Sequence, residues 1–193
     1  MKTTPRTPIK LDLGSGGSRK EGYYSVDHIG LKGVDIIADL NKPLELFPDN
    51  SVSHIYTRHT LEHIDNLLPL LQEIWRISKH NAKIEIIVPH FSNVFAYSGP
   101  THVRFFGLYT MFYFVSPENQ PSKRKVPTFY SDTRFYVDSL RIQFYRLNVF
   151  DRVFVPIFSK LVNSCFFSQE FYERRLSGIF RAWQITYIMR PQK

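Results

Sequence analysis

Short apolar runs recur along the first half of the chain with turn-forming residues between them. Ile9–Leu13, Tyr24–Asp27, Val34–Leu40, Ser53–Thr57 and Lys83–Val88 predict five strands. A different period appears after the fourth run. Leu61, Ile64, Leu67, Leu68, Leu71, Ile74, Trp75 and Ile77 recur at helical spacing, which predicts one or two helices from about Leu61 to Ser78 with a break near Pro69. Lys79-His80-Asn81-Ala82 reads as a turn into the fifth strand. Strands that alternate with loops or helices are the pattern of a doubly wound parallel sheet. Only Ser18-Arg19-Lys20-Glu21-Gly22 separates Gly17 from Tyr23. Parallel strands usually need a dozen or more linking residues. The first crossover helix is therefore expected to shrink to a turn or two. Arg141–Asn148 and Trp183–Arg190 read as two further strands.

The first strand ends in Gly14-Ser15-Gly16-Gly17 and the second ends in Asp27. Glycines after a strand allow a sharp turn at positive φ and let a ligand approach the main chain closely. Ligands of open α/β sheets sit outside the carboxyl ends of the strands, and an acid there can accept hydrogen bonds from a ribose diol. This points to a nucleoside-bearing cofactor. A dinucleotide fingerprint would need a third glycine where Arg19 stands, and its acid would come later than Asp27. The phosphate-binding sequence G-x-x-x-x-G-K-[ST] is absent.

Asp12-Leu13-Gly14-Ser15-Gly16 resembles motif I of the class I S-adenosylmethionine-dependent methyltransferases, and four further segments match that pattern in order. Asp39-Leu40 stands where the family places an acid beside adenine. Phe47-Pro48-Asp49-Asn50-Ser51-Val52-Ser53 resembles the approach to the fourth strand, Leu61-Glu62-His63-Ile64 the opening of the next helix, and Arg76-Ile77-Ser78-Lys79 the segment before the fifth strand. His80-Asn81-Ala82 replaces the Pro-Gly-Gly usual there. The resemblance covers roughly residues 9–90 and is to a small, type 11-like methyltransferase family. It implies a Rossmann-like seven-stranded sheet, mostly parallel with an antiparallel last strand. It implies S-adenosyl-L-methionine as cofactor and S-adenosyl-L-homocysteine as product. Asp12, Gly14, Ser15 and Gly16 are expected at the methionine end, Asp27 with His28 at the ribose, Asp39 with Leu40 at the adenine, and His59 against the cofactor. The expected organisation is one domain: a loose arm at Met1–Pro8, a cofactor-binding half over 9–90, a substrate lid or insert over 91–136 and C-terminal strands over 137–193.

His59-Thr60-Leu61-Glu62-His63 also matches the H-x-x-E-H of inverted zinc peptidases. Two histidines at i and i+4 share a helix face and can grip Zn²⁺. Here the segment follows a strand directly, and His59 falls at or before the helix start. The methyltransferase order accounts for the same residues, so no metal is expected. The histidines can equally cap the helix or pack under the cofactor.

The family pattern fades after Pro89. His90 leaves the fifth strand on the side where a substrate would sit, and Thr101-His102-Val103-Arg104-Phe105-Phe106 resembles a segment of small methyltransferases encoded beside glycan-assembly enzymes. It reads as a substrate lid, or as a loop whose His and Arg pair with acids of the main domain. Phe105–Val115 is expected to pack as a helix on the sheet or along a pocket. Val153–Phe180 is expected to form a packed hairpin or helix; the alternative is an amphipathic docking surface for a membrane or partner. Ser122-Lys123-Arg124-Lys125 is a compact basic run, read as a solvated loop or an anion contact.

Composition narrows the classes. With 193 residues, 43% hydrophobic and 22% charged, the chain can bury a sizeable core as an ordinary globular domain. Its net charge of +8 favours anionic partners: nucleic acid, an acidic glycan or an anionic membrane surface. Cys165 is the single cysteine, so neither an intrachain disulfide nor a cysteine zinc site is available. No apolar signal core precedes Ile9, and no run approaches the ~20 apolar residues of a membrane span. A cytoplasmic location fits these features.

Removal of a proton from a hydroxyl or amine acceptor near neutral pH suits histidine. His59, His63, His90 and His102 are the candidates, with His59 or His102 favoured as base. His63, His90 and Arg104 are expected at the substrate, Arg104 on an acidic group. The Asp/Asn-Pro-Pro-Tyr/Phe signature of N6-adenine methylation is absent after the fourth strand. A small-molecule or glycan hydroxyl is the expected acceptor, with RNA or protein methylation as alternatives, or a non-catalytic module that keeps the fold.

Overall fold

The computed structural model describes residues 8–18, 20–121 and 124–193. Most of the N-terminal arm, Arg19, and Ser122 with Lys123 of the basic run lie outside these residues. One seven-stranded sheet organises the chain: β1 (Ile9–Leu13), β2 (Tyr24–Asp27), β3 (Ile36–Ile37), β4 (Val52–Arg58), β5 (Ser78–Pro89), β6 (Arg134–Phe144) and β7 (Ala182–Gln192). They lie side by side in the order β3-β2-β1-β4-β5-β7-β6. Pairing is parallel from β3 through β5, and β7 runs antiparallel between β5 and β6. From β1 the chain goes first to one side and later to the other. A crevice therefore opens at the carboxyl ends of β1 and β4.

Alternation along the strands decides which face is covered. In β5, Ile84, Ile86 and Val88 are buried and alternate with Lys83, Glu85 and Ile87, which are exposed or half-buried; in β7, Ile185, Tyr187 and Met189 alternate with Thr186, Ile188 and Arg190 in the same way. The buried set joins one core with Leu11, Leu13 and Ile55. Helix α1 (Leu67–Ile77) lays its stripe Leu67, Leu70, Leu71, Ile74 and Ile77 into that core. Each such fully buried Leu or Ile contributes roughly 1.5–3 kcal/mol of transfer free energy. Met111 and Phe114 of a 3-10 turn (Thr110–Phe114), Val162 at the end of α3 (Asp151–Val162) and Tyr172 also join this core; α2 (Val94–Ser98) and α4 (Phe166–Phe171) are short helices. On the opposite face no helix stands between β1 and β2. The connection from Gly14 to Tyr23 is made of turns among the described residues, shorter even than the expected turn or two of helix. In its place the Lys20 ammonium lies 3.3 Å from the centroid of the Tyr56 ring, and Tyr23 meets Tyr56 edge-on at 6.3 Å.

Several boundaries differ from the sequence expectation for identifiable reasons. The helix over 61–78 breaks at 64–66 rather than at Pro69. Leu61–His63 forms one 3-10 turn, and Pro69 falls in the first turn of α1, where a missing N–H costs nothing. The expected turn at Lys79–Ala82 is absorbed into β5 as a bulge, because the register against β4 jumps from Val52↔Ser78 to His54↔Lys83. β6 begins at Arg134, earlier than the expected Arg141. A second bulge between Val137 and Ser139 turns the polar Asp138 outward onto Arg190 at 2.9 Å, which hides the strand from a period-two reading. The expected third strand shrinks to Ile36–Ile37, and the expected helix over 105–115 is the 3-10 turn Thr110–Phe114.

Arg76 near the end of α1 holds the approach to β4. Its guanidinium donates to the carbonyl oxygens of Leu44 and Phe47 and to the carboxylates of Glu73 and Asp49, at 2.6–3.1 Å. Replacing Arg76 with Met leaves two carbonyls without the guanidinium's donors and Glu73 with only the Leu44 N–H, at 2.7 Å. Expected is a loss of about 2–4 kcal/mol and a fall in Tm on the order of 5–15 °C, read by thermal denaturation of wild type and variant.

Candidate functional site

A cavity of about 490 Å³ opens at the carboxyl ends of β1, β2 and β4. That volume suits a small-molecule or cofactor site, typically ~300–1,000 Å³. Of the residues expected from the sequence, Gly14, Gly16, Asp27, His28, Asp39, Leu40, His59 and His63 line it. Ile29, Leu31, Asn41, Thr60, Ile64 and Thr101 complete the wall.

The floor is a close backbone crossing. Gly14 has φ +72°, and a Cβ there would stand 2.1 Å from Thr60 Cγ2. No side chain fits at that distance. Thr60 Oγ1 lies within hydrogen-bond distance of the carbonyl oxygens of Leu13, Gly14 and Arg58, so one hydroxyl ties the end of β1 to the end of β4. Gly16 also has positive φ, +56°, yet nothing stands within 4 Å of its would-be Cβ. The space above Gly16 is the cavity itself. Its N–H donates to Asp27 Oδ2 at 2.8 Å, while Asp27 Oδ1 accepts from Ile29 N–H at 3.1 Å and lies 3.1 Å from His28 Nδ1. Burial works to raise the Asp27 pKa, but the N–H groups of Gly16 and Ile29, with His28, hold it below the ordinary carboxylate range. The carboxylate is thus ionised and fixed, with acceptor capacity left on Oδ2. Asp39 is also held low, chiefly by the N–H of Asn41, with burial opposing and Lys42 assisting. At its position on the rim it can accept hydrogen bonds from a ligand.

His59 follows β4 at φ +52°, a left-handed conformation uncommon outside glycine. Its Nε2 lies 3.0 Å from Gln184 Oε1, and its Nδ1 lies 3.5 Å from Glu62 Oε1. The second distance is an ion-pair contact, too long to count as a hydrogen bond that satisfies the carboxylate. The Glu62 carboxylate nonetheless raises the His59 pKa, against an opposing contribution from burial.

The other expected residues stand elsewhere. Asp12 is buried on the half-open face of the sheet, where burial raises its pKa against the influence of Lys20. Ser15 is buried beside the glycine turn, outside the cavity wall. His90 is fully buried between Ser92 Oγ (2.8 Å) and Glu173 Oε1 (3.0 Å). Arg104 donates to the backbone carbonyls of Ile64 and Asp65, so its guanidinium secures a loop. His102 stands behind His63, the two rings meeting edge-on at 4.7 Å. Thr60 escaped the sequence reading, and Glu62 entered it only through the Leu61–Ile64 and H-x-x-E-H matches, because their partners are distant in the chain. A threonine within H-T-L-E-H carries no mark of contact with a glycine forty-six positions earlier.

The two glycines separate packing from ligand space. Gly14→Ala should cost about 3 kcal/mol or more, from overlap with Thr60 added to left-handed strain. Gly16→Ala should cost only about 1–2 kcal/mol while placing a methyl group in the cavity. Thermal denaturation with calorimetric titration of S-adenosylhomocysteine checks this; equal destabilisation by both substitutions contradicts it.

Residues 11–86 match the model of a family described as "Methyltransferase domain". No curated protein matches the chain. Among solved structures, an S-adenosylmethionine-dependent methyltransferase from Archaeoglobus fulgidus superposes with a TM-score of 0.58 at 18% identity, covering 98% of this chain and 88% of that one. The YcgJ protein from Bacillus subtilis superposes with a TM-score of 0.56 at 14% identity, covering 97% and 94%. At these identities the likeness is one of fold.

Proposed function

We propose that this chain, which carries a class I S-adenosylmethionine-dependent methyltransferase domain, methylates a hydroxyl oxygen of a small molecule or glycan. The cofactor supplies an electrophilic methyl group on a sulfonium. The cradle supports its binding: the bare backbone of Gly16 borders open space, Asp27 keeps an acceptor position for a ribose hydroxyl, and Asp39 with Leu40 lines the far wall. These residues bind and orient, and alignment of the reacting groups supplies much of the acceleration in such displacements.

The observation that carries the hydroxyl reading is His59 on the cavity wall, paired with the buried Glu62 behind it. A hydroxyl acceptor must lose a proton, and an imidazole whose basicity is raised by a buried carboxylate is suited to take it. An acceptor that displaces Gln184 Oε1 meets His59 Nε2 directly. His102, the other base expected from sequence, lies behind His63, and in this reading it supports the wall. Asp27→Ala should weaken S-adenosylhomocysteine binding roughly 10- to 100-fold, and His59→Gln should lower turnover roughly 10²- to 10⁴-fold with cofactor affinity nearly unchanged. Turnover is read by label transfer from methyl-labelled S-adenosylmethionine to a panel of sugars, nucleotide sugars, RNA and protein. Transfer to RNA or protein alone would overturn the small-molecule or glycan reading.

The acceptor reading extends to a membrane-borne glycan. No helix among the described residues is long and apolar enough to cross a membrane. Yet α3 and the turn before it expose Leu147, Val149, Phe150, Val153, Phe154, Ile157 and Leu161, with Arg146, Arg152 and Lys160 exposed among them. An apolar face edged by cations supports peripheral contact with an anionic bilayer. This segment follows β6, whose carboxyl end points to the same end of the sheet as those of β1 and β4, which open on the cavity. The protein should co-sediment with vesicles containing phosphatidylglycerol and much less with phosphatidylcholine alone. The double substitution Phe150→Ser, Phe154→Ser should lower that binding roughly tenfold or more; no binding, or binding the substitutions leave unchanged, removes the membrane component.

A further inference from the structure

Glu62 poses a problem that the methyl-transfer reading leaves unsolved. It is 1% exposed, and neither carboxylate oxygen has a hydrogen-bond partner. The other side-chain atoms buried without a partner among the described residues are all hydroxyl oxygens. A buried charge is costly unless it is paired or coordinates a metal. The nearby arginine does not serve, because Arg104 donates to the carbonyls of Ile64 and Asp65. The imidazole of His59 stands at 3.5 Å on one side. On the other side stand two more imidazoles. The ligand atoms offered by Glu62, His63 and His102 all lie within 4.8 Å of one another.

The two histidines are prepared in the same way. His63 Nδ1 lies 3.2 Å from the carbonyl oxygen of Thr101 and 2.9 Å from its hydroxyl; His102 Nδ1 lies 2.9 Å from the carbonyl oxygen of Ala96. A backbone carbonyl can only accept, so each Nδ1 carries the proton and each Nε2 keeps its lone pair. That tautomer, fixed by a carbonyl behind the ring, is the usual second-shell arrangement of a metal-ligating histidine. The backbone keeps the set together. Val103 N–H donates to the Glu62 carbonyl oxygen at 2.8 Å, which brings the 101–104 segment against the turn after β4. Gly99 gives His102 its room, since a Cβ there would stand 2.7 Å from the imidazole.

We propose that Glu62, His63 and His102 bind a first-row divalent metal ion at the edge of the cofactor cavity. Two imidazoles and one carboxylate suit Zn²⁺, Mn²⁺ or Fe²⁺. His63 and Thr101 line the cavity, so the position left open by three protein ligands faces the ligand space. Resting on the hydroxyl-acceptor reading, the ion would hold the acceptor oxygen there and ease loss of its proton. The H-x-x-E-H spacing thus takes a different set from that of a peptidase helix: Glu62 and His63 join His102 from a distant loop, while His59 contacts the carboxylate from outside.

The test is calorimetric titration of chelator-treated protein with Zn²⁺ and Mn²⁺, with absorption of the Co²⁺-loaded protein as a second readout. One ion per chain is expected, with visible Co²⁺ bands of an imidazole-containing site. Glu62→Gln and His102→Ala should each weaken binding roughly 100-fold or more, whereas His80→Ala, outside the set, should leave it unchanged. His102→Ala keeps the test decisive if Glu62→Gln fails to fold. No ion bound, or equal affinity in wild type and His102→Ala, overturns the proposal and leaves His59 as the sole counter-charge of Glu62. S-adenosylhomocysteine binding, titrated separately without metal, shows whether the methyltransferase reading stands independently.

Discussion

The end of β1 and the end of β4 touch, and the site depends on that contact. Gly14 approaches Thr60 more closely than any side chain at position 14 would permit, and the Thr60 hydroxyl ties both strand ends together. Because the chain departs from β1 and β4 in opposite directions, the crevice above this contact is lined from two sides. One wall carries Gly16 and Asp27, which bind a ribose-bearing ligand in the proposed reading. The other carries His59 and His63, where the proposed chemistry takes place. Movement of either strand end would separate the two groups.

The sheet is covered unevenly, and the cause lies in the same connection. Five residues between Gly17 and Tyr23 leave no room for a crossover helix, so the face that holds Lys10, Tyr56, Lys83 and Glu85 stays half-open. Strands buried on both faces would read as continuous apolar runs. β5 and β7 instead alternate, as strands with one wet face do. Lys20 and Tyr23 cover part of Tyr56 in place of the helix. The core is correspondingly one-sided, with α1 and the segment around Met111 and Phe114 as its main cover.

Charge near the cavity is organised around acids that differ in their partners. Asp27 has backbone N–H donors and is held ionised. Asp39 has them too and sits at the rim. Glu62 has none among the described residues, and the imidazoles of His59, His63 and His102 stand near it. The first two are suited to accept from a neutral ligand. The third is suited to a cation, whether a protonated His59 or a metal ion.

Sequence by itself determined the fold and marked one wall of the cavity, because local features mark both. Period-two spacing placed β1, β2, β4 and β7 to within two residues, and the glycine turn with Asp27 and Asp39 at or just after strand ends marked the cavity. Tertiary structure alone decided what depends on contacts between distant segments. The bulges in β5 and β6 shifted boundaries because they are set by the partner strand's register, which leaves no local trace. His90 and Arg104 resemble substrate contacts as residue types, yet Glu173 and two backbone carbonyls engage them. Thr60 looks ordinary in sequence, and the H-x-x-E-H match around Glu62 points to the wrong partner set. Their importance comes from Gly14 on one side and His102 on the other, brought close only when the chain folds.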